Sequence, residues 1–167
     1  MSCTSSIDTP IGPIIVAASE GAIASIQFMD ERSAPRPAIA ERPAHAAPPE
    51  LREALAQLRA YFAGELREFD LPLAPRGTPF QRSVLDAVRA IPFGRTMTYA
   101  EVARRSGNGA ASRAVGAANG RNPWPIVVPC HRVVGADGRL TGYGGGLWRK
   151  QRLLGHEGAR SLYSSLP

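Results

Sequence analysis

Two cysteines, one lysine, three histidines and no long apolar run limit what this 167-residue chain can be. Cys3 and Cys130 make no disulfide framework, and Cys3 falls in an N-terminal stretch expected to be flexible. Histidines at 45, 131 and 156 do not give the usual four-ligand zinc spacing, so neither a metal nor a cofactor is expected. No apolar run approaches the ~20 residues of a membrane span, and Met1-Ser-Cys-Thr-Ser-Ser lacks a basic leader. The expectation is a soluble, cytoplasmic protein in a reducing compartment, large enough for one domain or two small ones. No internal repeat occurs.

What is present is unevenly spread. Residues 1–75 carry 6 Arg against 10 Asp and Glu, a balance of −4, whereas residues 76–167 carry 14 Lys and Arg against 4 Asp and Glu, a balance of +10. A basic half points to a polyanionic partner, most often nucleic acid. General arginine richness would not leave the first half acidic.

The first half reads as α/β. The apolar runs 11–18 and 22–28, parted by Ser19-Glu20-Gly21, predict a β-hairpin. Five prolines over 33–49 predict a surface loop. Leu51, Leu55, Leu58 and Phe62 have helical spacing with a stop at Gly64, and 69–73 predicts an edge strand, since Pro72 lacks an N–H. Pro72, Pro75 and Pro79 mark a boundary that coincides with the charge switch, giving an N-terminal domain over 1–75 and a C-terminal domain over 76–167.

The second half reads as mainly helical. Thr78-Pro79-Phe80-Gln81 is a capping box with proline at the first helical position, leading to Phe80, Val84, Val88 and Ile91. Thr98-Tyr99-Ala100-Glu101 is a second capping box. It opens a short helix to about Arg105, followed by a glycine-bearing turn and a helix of small residues over about 110–118. Two such helices in a basic segment suggest a helix-turn-helix, although any αα-hairpin has the same pattern. Arg113 is the one long side chain of the second helix. Its alanines and glycine would allow close approach either to a partner or to a neighbouring helix.

The chemistry concentrates in Ile126-Val-Val-Pro-Cys-His-Arg-Val-Val-Gly135. A free thiol near pKa ~8.5 needs a basic or cationic neighbour to act as a nucleophile, and His131 and Arg132 supply one. The alternative is a structural cysteine in an apolar strand. Adjacent side chains on a strand face opposite ways, so His131 would reach Cys130 only through a bridging water or a bend after Pro129. Asn122-Pro123-Trp124-Pro125 reads as an extended bridge from the small-residue helix to that strand. The histidine needs a third group to fix its tautomer. Residues 147–157 predict a helix stopped near Gly158, with Glu157 at an end where the helix dipole disfavours a carboxylate. Glu157 therefore calls for a cationic partner, either His131 or an arginine. Gly142-Tyr143-Gly-Gly-Gly146 is either a flexible turn or a place where a flat ligand meets backbone amides and stacks on Tyr143.

In order, Phe80-Gln-Arg, Ile91-Pro-Phe-Gly, Thr98-Tyr-Ala-Glu, Ser112-Arg-Ala-Val-Gly116, Asn122-Pro, Pro129-Cys-His-Arg132, Gly142-Tyr143 and His156-Glu157 resemble the O6-alkylguanine-DNA alkyltransferase family over about 78–158. Residues 1–75 resemble its variable N-terminal domain more loosely. The resemblance implies an α/β N-terminal domain and a mainly α C-terminal domain with a winged helix-turn-helix. It implies repair of O6-alkylguanine in double-stranded DNA by a monomer that turns over once, with possible cooperativity on DNA. Cys130 would accept the alkyl group, with His131 as water-coupled base backed by Glu157. Tyr99 would supply a proton toward guanine N3, and Asn122 would brace the hinge before Cys130. Arg113 would enter the duplex in place of the flipped nucleotide, with Ser112, Gly116 and Gln81 as further DNA contacts. Val133, Tyr143 and Gly144 would frame the base. Gly144 replaces a residue that in many relatives carries a side chain. The zinc site of some members is not expected here, and the chain is too short for the regulatory domain of larger ones.

Overall fold

A computed structural model describes residues 2–30, 44–107, 109 and 111–159. The chain separates into two compact units, Met1–Pro75 and Arg76–Pro167.

In the first unit, β1 (Ser2–Ile7), β2 (Ile14–Ser19) and β3 (Ala22–Phe28) form an antiparallel sheet in the order β1-β2-β3. The expected hairpin is β2–β3. The N-terminus is not the flexible stretch anticipated: Ser2 to Ile7 pair along the whole of β2, from Ser2 opposite Ser19 to Ile7 opposite Ile14. Its sequence, SCTSSI, has a single large apolar residue, so its strand character comes from backbone pairing and escapes a reading based on hydrophobic period. Ile14, Val16 and Ala18 alternate into the core, where they meet Leu51, Ala54, Leu55, Leu58 and Tyr61 of α1 (Pro49–Phe62). Burying each large aliphatic chain contributes roughly 1.5–3 kcal/mol. The strand expected over 69–73 contracts to one parallel bridge between Leu73 and Ile23, held by Ile23 N–H to the Pro72 carbonyl and Ala74 N–H to the Ile23 carbonyl. Pro72 has no N–H to extend it. Of the proline-rich loop, the part through residue 43 lies outside the described residues, while Ala44–Ala46 form a 3₁₀ turn before α1.

The second unit clusters α2 (Pro79–Arg89), α3 (Tyr99–Arg105) and α4 (Ser112–Gly120), followed by α5 (Leu147–His156). Both capping boxes form: Thr78 and Thr98 accept from the amides of Gln81 and Glu101, whose side chains return to the cap amides. Val84, Leu85 and Val88 of α2, Val102 and Ala103 of α3, and Val115 and Ala118 of α4 make the core. The small-residue helix runs two residues later than expected, beginning at Ser112 and including Asn119-Gly120; Ala110 lies outside the described residues. Asn119 is buried inside the helix, so it is a packed residue and not the helix stop. β4 (Met97–Thr98) and β5 (Val133–Val134) form a short parallel ladder that brings the entry to α3 beside the exit from the cysteine segment. The α/β first unit and mainly α second unit are thus both present.

Candidate active site

Cys130 does not lie on a strand. Pro129 ends the approach, and Cys130–Arg132 form a buried 3₁₀ turn, with Arg132 N–H donating to the Pro129 carbonyl at 2.9 Å and only Val133–Val134 extended beyond it. The 122–125 segment is not an extended bridge either. The chain doubles back, with Val128 N–H bonded to the Trp124 carbonyl at 2.9 Å and Ile126 buried at φ 76°. A β-branched residue in the left-handed region is a strained conformation held by its surroundings. Two asparagines hold it from within the loop and from α4. Asn122 donates to the Val128 carbonyl at 2.7 Å and accepts from Trp124 N–H at 2.9 Å, while Asn119 donates to the Cys130 carbonyl at 3.3 Å. The bend orients adjacent side chains in a way that a strand could not.

The thiol of Cys130 is buried, and burial pushes its pKa up, against the pull of Asn122, Tyr143 and the Lys150 charge. At rest it is a thiol and not a thiolate. His131 is wholly buried, with Nε2 2.8 Å from Glu157 Oε1. Burial holds its pKa below the ordinary value, although Glu157 raises it. The imidazole is therefore neutral at pH 7, and because an ionised carboxylate only accepts, Nε2 carries the hydrogen. Nδ1 is left as the basic nitrogen, buried and without a hydrogen-bond partner in the protein.

Glu157, the C-cap of α5, meets both partners that the sequence offered it. Besides His131 it accepts from Arg132 Nε at 2.9 Å on Oε2 and from Arg132 Nη2 at 2.8 Å on Oε1. Burial alone would raise its pKa, but these hydrogen bonds and charges hold it well below the usual carboxylate range. Gly94, at φ 77°, comes so close to the Glu157 carbonyl that a Cβ would stand 3.1 Å from it.

A second group of contacts fixes the glycine loop. Lys150 Nζ, fully buried, donates to the carbonyls of Val133 at 2.7 Å, Thr141 at 3.2 Å and Gly142 at 3.3 Å; burial brings its pKa down to about 8. Arg149 donates to the Gly145 carbonyl at 2.8 Å. The Tyr99 hydroxyl donates to the same Thr141 carbonyl at 3.3 Å, and Gly116 of α4 lies against the Tyr99 ring. Cys130, His131, Glu157, Asn122, Tyr143 and Val133 are therefore assembled around one turn, with Tyr99 joined to them through Thr141 and Lys150. A Cβ on Gly144 would approach the Gly120 carbonyl at 3.9 Å, which places the loop beside the end of α4. Ser112 and Arg113 are exposed on the first turn of α4, while the Gln81 side chain is engaged in its own cap on α2.

Sequence reasoning missed Lys150 and Asn119, and it offered His131 or an arginine as alternatives for Glu157 where the structure uses both. The one available signal was that Lys150 is the only lysine in an arginine-rich chain. A compact ammonium can aim three donors from one nitrogen at three carbonyls, whereas a guanidinium spreads its donors over a planar fork. Among the described residues, no group of three or more His, Cys, Asp or Glu side chains could hold a metal ion, and no helix is long and apolar enough to cross a membrane.

Residues 79–159 match the family described as 6-O-methylguanine DNA methyltransferase, DNA binding domain, and residues 3–75 match its ribonuclease-like domain. The methylated-DNA–protein-cysteine methyltransferase of Methanosarcina acetivorans is 51% identical over 154 residues, covering 91% of this chain and 96% of that protein. The crystal structure of Mycobacterium tuberculosis O6-methylguanine methyltransferase superposes with a TM-score of 0.83 at 44% identity, covering 98% of this chain and 97% of that one. The same organism's OGT in complex with DNA gives 0.80 at 46% identity over 93% and 92%. With both units matched at this identity and coverage, the chain belongs to the 6-O-methylguanine DNA methyltransferase family.

Proposed function

We propose that this protein repairs DNA by direct reversal, Cys130 taking the methyl or larger alkyl group from O6 of a guanine in duplex DNA. The observation that carries the assignment of roles is the buried relay behind the thiol: a neutral imidazole, its Nδ1 free, backed by an ionised carboxylate. A thiol that is protonated at rest must lose its proton as the alkyl carbon arrives. In the transfer the Sγ–C bond forms as the C–O6 bond breaks. The thiol proton passes through a water to His131 Nδ1, the bond pair leaves with the guanine, and a proton is returned to the base. Tyr99 delivers that proton toward guanine N3, its hydroxyl already held at the Thr141 carbonyl. The product thioether is too stable to hydrolyse, so each chain acts once.

DNA is the partner. The C-terminal domain, 76–167, carries the net +10 that duplex binding draws on, and a relative of closely similar fold is bound to DNA. Exposed Arg113 enters the stack in place of the flipped guanine, with Ser112, Gly116 and Gln81 as further DNA contacts. Asn122 braces the turn, and Val133, Tyr143 and Gly144 frame the base. The protein works as a cytoplasmic monomer.

One experiment separates these parts. Native chain, Cys130→Ala and Arg113→Ala are titrated against O6-methylguanine duplex and against the free modified base, with intact mass as readout. One methyl per native chain is expected, and none on Cys130→Ala with DNA binding retained. Arg113→Ala should be slowed far more on duplex than on free base. Multiple turnovers would overturn the one-use reading, and equal losses on both substrates would overturn the role of Arg113.

A further inference from the structure

Arg132 is buried beside the relay, and its guanidinium is engaged by Glu157 and a backbone carbonyl. Its Nε and Nη2 chelate both carboxylate oxygens, and Nη1 donates to the Ile91 carbonyl at 2.6 Å. The loop after α2 closes over the same carboxylate. Gly94 N–H reaches Glu157 Oε2 at 3.5 Å, and the Phe93 ring lies 5.8 Å from the guanidinium carbon. Oε1 is thus shared, at 2.8 Å each, between His131 Nε2 and Arg132 Nη2.

We infer that Arg132 is a positioning residue for the transfer: by holding Glu157 ionised through both carboxylate oxygens, it fixes the imidazole as the Nε2–H tautomer and keeps Nδ1 the free base. The inference rests on the reading of Cys130 as alkyl acceptor and deepens it. A buried carboxylate without a cation tends to hold a proton, and a protonated Glu157 could donate to Nε2 and turn the hydrogen of the imidazole onto Nδ1. Chelation by a group that never loses its charge removes that option. It also sets how strongly His131 holds the thiol proton. Glu157 attracts the imidazolium and Arg132 opposes it, so the proton is taken as the alkyl group moves and is given up afterwards. The charged groups acting on His131 are Glu157 and Lys150 from α5 and Arg132 from its own turn, while the loop after α2 contributes the Ile91 carbonyl, the Gly94 amide and the Phe93 ring.

The test is the single-turnover rate of methyl transfer from an O6-methylguanine duplex across pH 5 to 9, for native chain, Arg132→Lys and Arg132→Met. Imidazole nitrogen shifts of His131 are followed alongside by NMR. In the native chain the acid limb should lie below the ordinary histidine value, with Nε2 protonated and Nδ1 bare at pH 7. Arg132→Met should move the acid limb up by about one pH unit. Arg132→Lys, which retains the charge without the chelate, should stay nearer the native limb at a reduced plateau. Slowing by one factor at every pH in Arg132→Met, with unchanged nitrogen shifts, would make Arg132 a structural residue only and overturn the inference. Should Arg132→Met fail to fold, the native titration decides: a hydrogen on Nδ1 at pH 7 overturns it. A native chain that transfers no methyl refutes the assignment of Cys130, and the nitrogen shifts still judge Arg132 separately.

Discussion

The two units solve the problem of a small core in opposite ways. Among the described residues, the buried polar side chains of the first unit are Thr4 and Ser5, both uncharged and on a strand. In the second they are Asn119, His131, Arg132, Arg149, Lys150 and Glu157. Burying a charge costs free energy that packing alone does not return, so a fold that only needed to be stable would not gather four charges and an imidazole in one place. Here they surround a cysteine and a glycine loop. The first unit is built for stability, and the second gives up stability to hold a reactive geometry.

The sharpest way to break this contrast is a pair of substitutions. Glu157→Gln should slow methyl transfer by about 100-fold or more, since a positioned acid–base group contributes roughly that much. It should also destabilise by about 3–5 kcal/mol, because Arg132 is left as an uncompensated buried charge. Ile14→Ala in β2 should cost a similar 2–5 kcal/mol through a cavity, yet leave the transfer rate per folded molecule unchanged. Urea melts with single-turnover rates check both, and a slowed Ile14→Ala would refute the division of labour.

A smaller effect is expected from acid. The folded-state pKa of His131 lies below its unfolded value, so its stabilisation is complete above about pH 6.5 and is lost as pH falls below that. Glu157 adds a second loss below about pH 4.3 for the same reason. Both tryptophans, Trp124 and Trp148, belong to the second unit, so their fluorescence reports it selectively. Between pH 7 and 5 its urea midpoint should fall, while amide protection in β2 and β3 holds. A flat midpoint would mean that His131 is not buried neutral.

The smallest effect sharpens the comparison inside the second unit. Thr78→Ala and Thr98→Ala each remove a helix cap and should each cost about 1 kcal/mol. Only Thr98→Ala should also alter the transfer rate, because Tyr99 is the first residue of α3. Equal rates in the two variants would detach Tyr99 from the chemistry.

Much of the scaffold was readable from sequence because its signals are local. Each capping box lies within four residues, the apolar spacing of α1 and α2 repeats every turn, and the charge switch at the boundary needs only counting. β1 was not readable, since its polar residues become a strand only when β2 offers them a partner. Nor was the 3₁₀ turn at Cys130, where apolar valines on both sides imitate a strand. Pro129 and the amides of Asn119 and Asn122 impose the bend instead, and Asn119 comes from a different element.

The sequence alone determined which groups were available: a cysteine that could serve as nucleophile, a histidine next to it, a carboxylate misplaced at a helix end, and a basic half to meet an anion. It could say that Glu157 needed a cation, but not which one. Only the tertiary structure decided that Glu157 takes both His131 and Arg132, that Lys150 ties Val133 to the glycine loop, and that Nδ1 is the nitrogen left bare. The reason is physical. Capping and amphipathic period act over one helical turn, whereas a hydrogen bond between residues 26 apart depends on how the whole unit packs.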